Sequence, residues 1–190
     1  MARSEFFRLP VLGNLLRTCG TIPVDVHGDP MQAADTAHRA LQAGDLIGIH
    51  PEGTISPSFV PRRAKSGAVR LAERAGAPIV PVAVWGSQRL LTKGRPPRPE
   101  RHVTVIVRYG PPFHPEGRTA MARSADLMAH INALLLEIQA AYPQRPGPTP
   151  HDWWQPAHLG GSAPTPEAAE ESLQAQDEHR RARRRAHGDA

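Results

Sequence analysis

The densest run of residues able to do chemistry is Gly48-Ile49-His50-Pro51-Glu52-Gly53-Thr54-Ile55-Ser56. The apolar segment Leu46 to Ile49 reads as a buried strand that ends in a Pro-Glu-Gly-Thr turn. In open α/β sheets, ligands collect at the carboxyl ends of strands. Gly53 lets a ligand or a second backbone approach closely. Glu52 and the hydroxyls of Thr54 and Ser56 offer polar groups at the same place. Shortly afterwards, Arg62-Arg63-Ala64-Lys65-Ser66-Gly67 opens the next expected helix. Cations beside a helix N-terminus suit a phosphate-like anion. The same residues also make a plain surface turn with a solvated basic edge, and spacing alone leaves both readings standing.

The elements around these residues alternate. Phe6, Phe7, Leu9, Leu12, Leu15 and Leu16 have helical spacing, interrupted by Pro10 and Gly13. Thr21 to Asp25 is a short strand candidate. Asp29-Pro30 supplies an N-cap and a proline at the first helical position, and Gly44 ends the helix that follows. A further helix over 65–75 stops at Gly76. Pro78 to Trp85 and Val103 to Val107 are strands, and 118–142 is a long amphipathic helix. Strands separated by helices predict an α/β fold, with a mixed, largely parallel sheet flanked by helices. Residues 1–143 are expected to form a single domain. Residues 144–190, rich in Pro, Ala, Glu and Arg, are expected to be a mostly disordered tail, with a short helix around Glu167 to Arg185.

Composition narrows the function classes. The chain has 190 residues, 39% hydrophobic and 22% charged, enough for one packed core. Its one cysteine, Cys19, excludes an intrachain disulfide framework and a cysteine-cluster zinc site. No apolar run reaches the ~18 residues of a membrane-spanning helix, and none of signal-peptide length follows Met1. A soluble or peripheral protein of a reducing compartment is the expectation. The formal net charge is +5. Residues 1–150 hold 18 of the 23 Lys and Arg but only 11 of the 18 Asp and Glu, so the basic excess lies in the expected domain. Such a surface implies an anionic partner. The run Arg180-Arg181-Ala182-Arg183-Arg184-Arg185 also raises nucleic acid, but the chain lacks the stacking pattern or recognition motif of such modules, and no nucleic acid is expected.

Several motifs in order resemble the phospholipid-synthesis acyltransferases, whose typical member is 1-acylglycerol-3-phosphate acyltransferase. His50 to Ser56 is similar to that family's Phe-Pro-Glu-Gly-Thr-Arg-Ser motif, with His50 and Ile55 at the two differing positions. Lys65 and Gly67 match the lysine and glycine that follow it. Val80-Pro81-Val82 matches its Val-Pro-Val strand, closing at Gly86. Gly20-Thr21-Ile22-Pro23-Val24-Asp25 matches its Gly-x-Ile-x-Val-Asp-Arg strand, with Val26 in place of arginine. The resemblance covers about residues 3–115. It implies transfer of a fatty acyl group from acyl-coenzyme A or acyl carrier protein to the free hydroxyl of a lysophosphatidate-like acceptor. It places Glu52, Gly53 and Thr54 in the acceptor pocket. Lys65 would hold the phosphate, with Arg62 or Arg63, and Val80, Pro81 and Val82 would wall the acyl site. It implies no metal and no organic cofactor, the acyl thioester being a substrate. It also implies peripheral work at the cytoplasmic face of an anionic membrane.

The family's general base is a histidine in a His-x-x-x-x-Asp motif upstream of the second motif. None of the ten histidines here stands five residues before an aspartate. The motif would fall before Met1, so the chain reads as a member with its front removed and no catalytic residue of its own. The alternative is a catalytically inactive lipid-binding remnant, which would be cytoplasmic. Val26 and Ile55 also remove two cations associated with the acceptor phosphate, which opens the identity of the acceptor. Of the other signals, Cys19 reads as a buried small residue, and Trp85 as a core residue. His27-Gly28-Asp29 and His114-Pro115-Glu116-Gly117 read as turns. Trp153-Trp154 suits a membrane interface or a cover over an apolar patch.

Overall fold

The computed structural model describes residues 1–24, 30–96, 100–114, 119–147 and 151–186. Asp25 to Asp29, and with them Val26, lie outside the described residues, as do Pro115 to Gly117. The chain forms two compact units. One holds Met1–Gly53, Ala64–Pro81 and Pro111–Leu127; the other holds Thr54–Arg63, Val82–Gly110 and Met128–Ala190.

The first unit contains β1 (Ala2–Arg3), α1 (Pro10–Thr18), β2 (Pro23–Val24), α2 (Pro30–Gln42) and α3 (Gly67–Ala75). Its core combines Leu71 and Leu127 with small side chains. Ala33 and Ala37 lie one turn apart on α2, and Val69 and Ala72 are buried on α3. The absence of bulk at these positions lets the two helices approach. One ion pair and one neutral hydrogen bond fix the pair at its rim: Arg74 to Asp35 at 2.6 Å, and Gln42 Nε2 donating to the Ala75 carbonyl at 3.2 Å. Gly76 ends α3 in the left-handed conformation, its N–H directed to the Ala72 and Glu73 carbonyls. Arg123, almost wholly buried, reaches Glu73 at 2.5 Å.

The second unit is organised by an antiparallel ladder of β3 (Val82–Trp85) and β4 (Ile106–Tyr109), with Val82 opposite Tyr109 and Trp85 opposite Ile106. Helix α4 (Ala120–Ala140) contributes its residues from Met128 onward to this unit. The C-terminal helix α5 is Pro166–Ala186. The core joins Ala83 and Trp85 of β3 to Leu135, Ile138 and Tyr142, and to Trp153 and Trp154. Leu135, Ile138 and Tyr142 recur at helical spacing and so share one face. Trp85, Tyr142 and Trp154 meet edge-on or tilted with centroids 5.8–6.4 Å apart. Arg89 lies 4.8 Å over the Trp154 ring and bonds Gln144 at 2.6 Å and the Glu100 carboxylate. Burial works against the Arg89 charge, but the bonds with Glu100 and Tyr142 outweigh it and hold its pKa above the ordinary guanidinium value. Gly86 follows β3 at φ 100°, and a Cβ there would meet the Thr104 carbonyl oxygen, so only glycine fits.

Four expectations differ from what is observed. The sheet pairing among the described residues is a two-residue parallel pair, β1 with β2, and the antiparallel β3–β4 ladder, rather than a largely parallel sheet. Leu46 to Ile49 is not a buried strand: it has no ladder partner among the described residues, and Leu46 is 91% exposed. Cys19 is exposed, because it caps the end of α1 rather than facing its apolar side. The tail is not mostly disordered. Its two tryptophans complete the aromatic core, and Ala169 and Leu173 of α5 are buried, which offsets the entropy of ordering a polar segment. Trp154→Ala should therefore lower the unfolding free energy by about 3–5 kcal/mol, read from the urea midpoint at constant m. A change below about 0.5 kcal/mol would place the tail outside the core.

Candidate functional site

The Pro-Glu-Gly-Thr stretch forms a tight turn in which the Gly53 N–H donates to the His50 carbonyl at 3.2 Å. Gly53 has φ 68°, a left-handed conformation that L side chains adopt at a cost of roughly 1–2 kcal/mol. The chain then makes an excursion through Thr54–Arg63, which belongs to the second unit, and returns to the first at Ala64. The return is fixed by the Lys65 N–H donating to the Pro51 carbonyl at 2.9 Å. That bond sets the Lys65 side chain along the turn. A Cβ on Gly53 would stand 3.4 Å from Lys65 Cε and 3.5 Å from Nζ. Lys65 is exposed and has no ion pair among the described residues. Two residues on, α3 begins, with its first unpaired N–H groups and the positive end of its dipole. A cation, a bare glycine and a helix N-terminus thus occur together within the first unit, an arrangement suited to an anionic oxygen cluster.

The remaining sequence candidates separate. Glu52 is partly buried beside Gly53 in the turn. Thr54 is partly buried in the second unit, and Arg63 is exposed there without an ion pair among the described residues. Arg62 has a different fate. Its Nε and Nη2 both bond Glu170 Oε2 of α5, at 2.9 and 2.6 Å. Ser56 is buried, and its Oγ is bonded to Ser58 Oγ at 2.9 Å, so its hydroxyl braces the loop. Ile55, at the arginine position of the third motif, is half exposed.

Val80 and Val82 are exposed and Pro81 is fully buried, the alternation of an extended segment. On the ladder, Val82, Val84, Val107 and Tyr109 share one exposed apolar face, which sequence reasoning did not single out. The signal was present in the period-two pattern. Glu170 was also missed, and nothing local marks it, because its partner lies 108 residues away. No described group of three His, Cys, Asp or Glu residues could hold a metal ion.

The acyltransferase family model matches residues 1–85, a span that contains the turn, Arg62, Arg63, Lys65 and Val80-Pro81-Val82. Over that span the chain is similar to the acyltransferase family. A 1-acyl-sn-glycerol-3-phosphate acyltransferase of Bacillus subtilis (strain 168) is 34% identical over 98 residues, covering 50% of this chain and 48% of the relative. A chloroplastic 1-acyl-sn-glycerol-3-phosphate acyltransferase of Brassica napus is 27% identical over 97 residues, covering 50% of this chain and 28% of the relative. The chain thus spans about half or less of the length of these relatives. The crystal structure of the 1-acyl-sn-glycerophosphate acyltransferase of Thermotoga maritima superposes with a TM-score of 0.61. It covers 75% of this chain and 57% of that one at 23% identity, which establishes a shared fold. The acyltransferase-family span therefore includes every candidate binding residue named above, and the shared fold extends beyond it into the C-terminal half.

Two outcomes follow from this geometry. Gly53→Ala should cost about 1–2 kcal/mol in chemical denaturation from the left-handed backbone alone. An unchanged midpoint would mean that the turn is not held at positive φ. A double-mutant cycle on Arg62→Ala and Glu170→Ala should give a coupling of about 0.2–1 kcal/mol, because both groups are partly solvated. Strict additivity would show that the pair contributes nothing.

Proposed function

We propose that this chain supplies the acceptor-binding part of an acyltransferase of phospholipid synthesis. The donor is an acyl thioester of coenzyme A or acyl carrier protein, and the acceptor is the free hydroxyl of a lysophosphatidate-like lysophospholipid. The observation that carries this reading is Lys65, whose ammonium lies along Gly53 with no ion pair among the described residues, inside the family-matched span. A phosphate monoester brings negative oxygens that a lysine point charge and helix N–H groups complement. Gly53 leaves the room that a side chain would fill, and Glu52 borders the acceptor from the same turn, with Thr54 next in the sequence. In this reading Val80, Pro81 and Val82 wall the acyl side.

The reaction needs the acceptor oxygen to attack the thioester carbonyl. A C–O bond forms and the C–S bond breaks. The hydroxyl proton goes to a base, and the thiol leaves. None of the ten histidines stands five residues before an aspartate, so no histidine of this chain is assigned as that base. Its residues are assigned binding and orientation. No metal or organic cofactor enters the scheme. Both substrates are amphipathic, which favours work at the cytoplasmic face of an anionic membrane, where each surface cation contributes about 1 kcal/mol. No described helix is long and apolar enough to cross a membrane. A second reading is lipid binding by these residues without turnover.

Binding and turnover are measured separately to decide. Lys65→Met should weaken lysophosphatidate binding by about 10- to 100-fold, the size of a lost charge-assisted bond. Its affinity for monoacylglycerol should be unchanged. Equal lysophosphatidate affinity in both proteins would remove Lys65 from the site. With acyl-coenzyme A and lysophosphatidate, a general base contributes roughly 10²–10⁴-fold, so this chain alone should form product slowly. Tight binding with no phosphatidate formed above the uncatalysed rate would select binding without turnover.

A further inference from the structure

The second unit contains a cleft of about 170 Å³ whose walls are Phe59 and Pro61 on one side and Leu135 and Leu136 of α4 on the other, with His158 at its edge. The lining is mostly apolar, and its polar residues are Asn132, His158 and Gln139. Gln139, on the same face of α4 as Leu135 and only 8% exposed, has its amide Nε2 and Oε1 buried, with no hydrogen-bond partner for either among the described residues. A buried amide with neither its donor nor its acceptor satisfied is unfavourable unless something fills the site. The space is too large for one water, which needs ~10–15 Å³, and is comparable to apolar voids of ~150 Å³ that take a six-carbon ring.

The opposite wall is also under constraint. Phe59 has φ 55°, in the left-handed region that a bulky side chain rarely occupies. It is held there by its N–H bond to the Ser56 carbonyl at 3.2 Å, by the buried Ser56–Ser58 hydroxyl pair, and by an edge-on contact with Trp153 at 6.2 Å. Such strain persists where surrounding structure fixes it, and it gathers at ligand sites.

We infer that this cleft takes the slender pantetheine arm of the acyl donor. The inference rests on the acyl-transfer reading above. The lining carries no Lys, Arg, Asp or Glu, so a charged headgroup has no counterion there. A plain hydrocarbon chain would leave both Gln139 amide atoms unpaired. Among the reactants of acyl transfer, the carrier arm is the neutral one that alternates amides with short methylene runs. With the Gln139 side chain turned into the cleft, one amide N–H of the arm would donate to Oε1 and one of its carbonyls would accept from Nε2, while its methylenes lie on Phe59 and Leu135.

The test uses the full chain labelled with ¹⁵N and titrated with free pantetheine. The expected result is saturable movement of the Gln139 side-chain NH₂ resonances. Gln139→Leu should weaken pantetheine binding by at least about tenfold, and its melting temperature should stay level or rise, because an unpaired amide is replaced by an apolar isostere. No movement up to about 10 mM pantetheine would overturn the inference. So would a Gln139→Leu protein that melts lower and binds pantetheine as before, the signature of an amide satisfied by water alone. If the leucine variant does not fold, the wild-type titration and Gln139→Ala decide. Product formation without pantetheine binding would sink this cleft and leave the acyl-transfer reading intact. Pantetheine binding without any transfer would do the reverse.

Discussion

The bond from the Lys65 N–H to the Pro51 carbonyl is the constraint on which the candidate site depends. Between these residues the chain leaves the first unit, contributes Thr54–Arg63 to the second, and comes back. Without that closure the lysine would be a long, solvated side chain with no fixed relation to the turn. With it, the ammonium runs beside a glycine whose left-handed backbone excludes a side chain at low cost. The N-terminus of α3 follows directly. The phosphate-binding reading rests on this local geometry, which is complete within one unit.

In the second unit, aromatic packing and one partly buried cation do the comparable work. Arg89 sits over Trp154 and gathers Glu100, Tyr142 and Gln144 around it. The C-terminal segment is thereby drawn into the core. Its helix α5 then presents Glu170 to Arg62. The arginine nearest in sequence to the turn is engaged by a carboxylate, while Arg63 and Lys65 have no ion pair among the described residues. An anionic acceptor would therefore meet Lys65 without first displacing a protein carboxylate from it.

Much of this was legible in the sequence. The helices α2, α3 and α4 follow from apolar spacing, from the proline that opens α2, and from the glycines at 44 and 76. The turn itself was legible from Pro51 and Gly53, while spacing left a plain surface turn and a binding site equally open. What escaped was non-local. Leu46 to Ile49 has the composition of a strand, but strand formation needs a neighbour, and no ladder partner lies among the described residues. Trp153 and Trp154 sit in a polar stretch without periodicity, and only the presence of Trp85 and Tyr142 makes them core residues. Arg62 looked like a phosphate ligand until its distant carboxylate was placed. Gln139 reads as an ordinary helix residue, and only the folded structure shows that its amide is buried with no partner among the described residues.

The chain has two lysines, Lys65 and Lys93, which makes chemical footprinting the most direct test of the central claim. Lys93 bonds Gln176 at 3.0 Å and serves as the internal control. The protein is reductively methylated with short-chain lysophosphatidate, with the matching monoacylglycerol, or with neither, and each lysine is quantified by peptide mass spectrometry. The account predicts that lysophosphatidate slows methylation of Lys65 while monoacylglycerol does not, with Lys93 unchanged throughout. Equal reactivity of Lys65 in all three samples, or protection by both lipids alike, would contradict it.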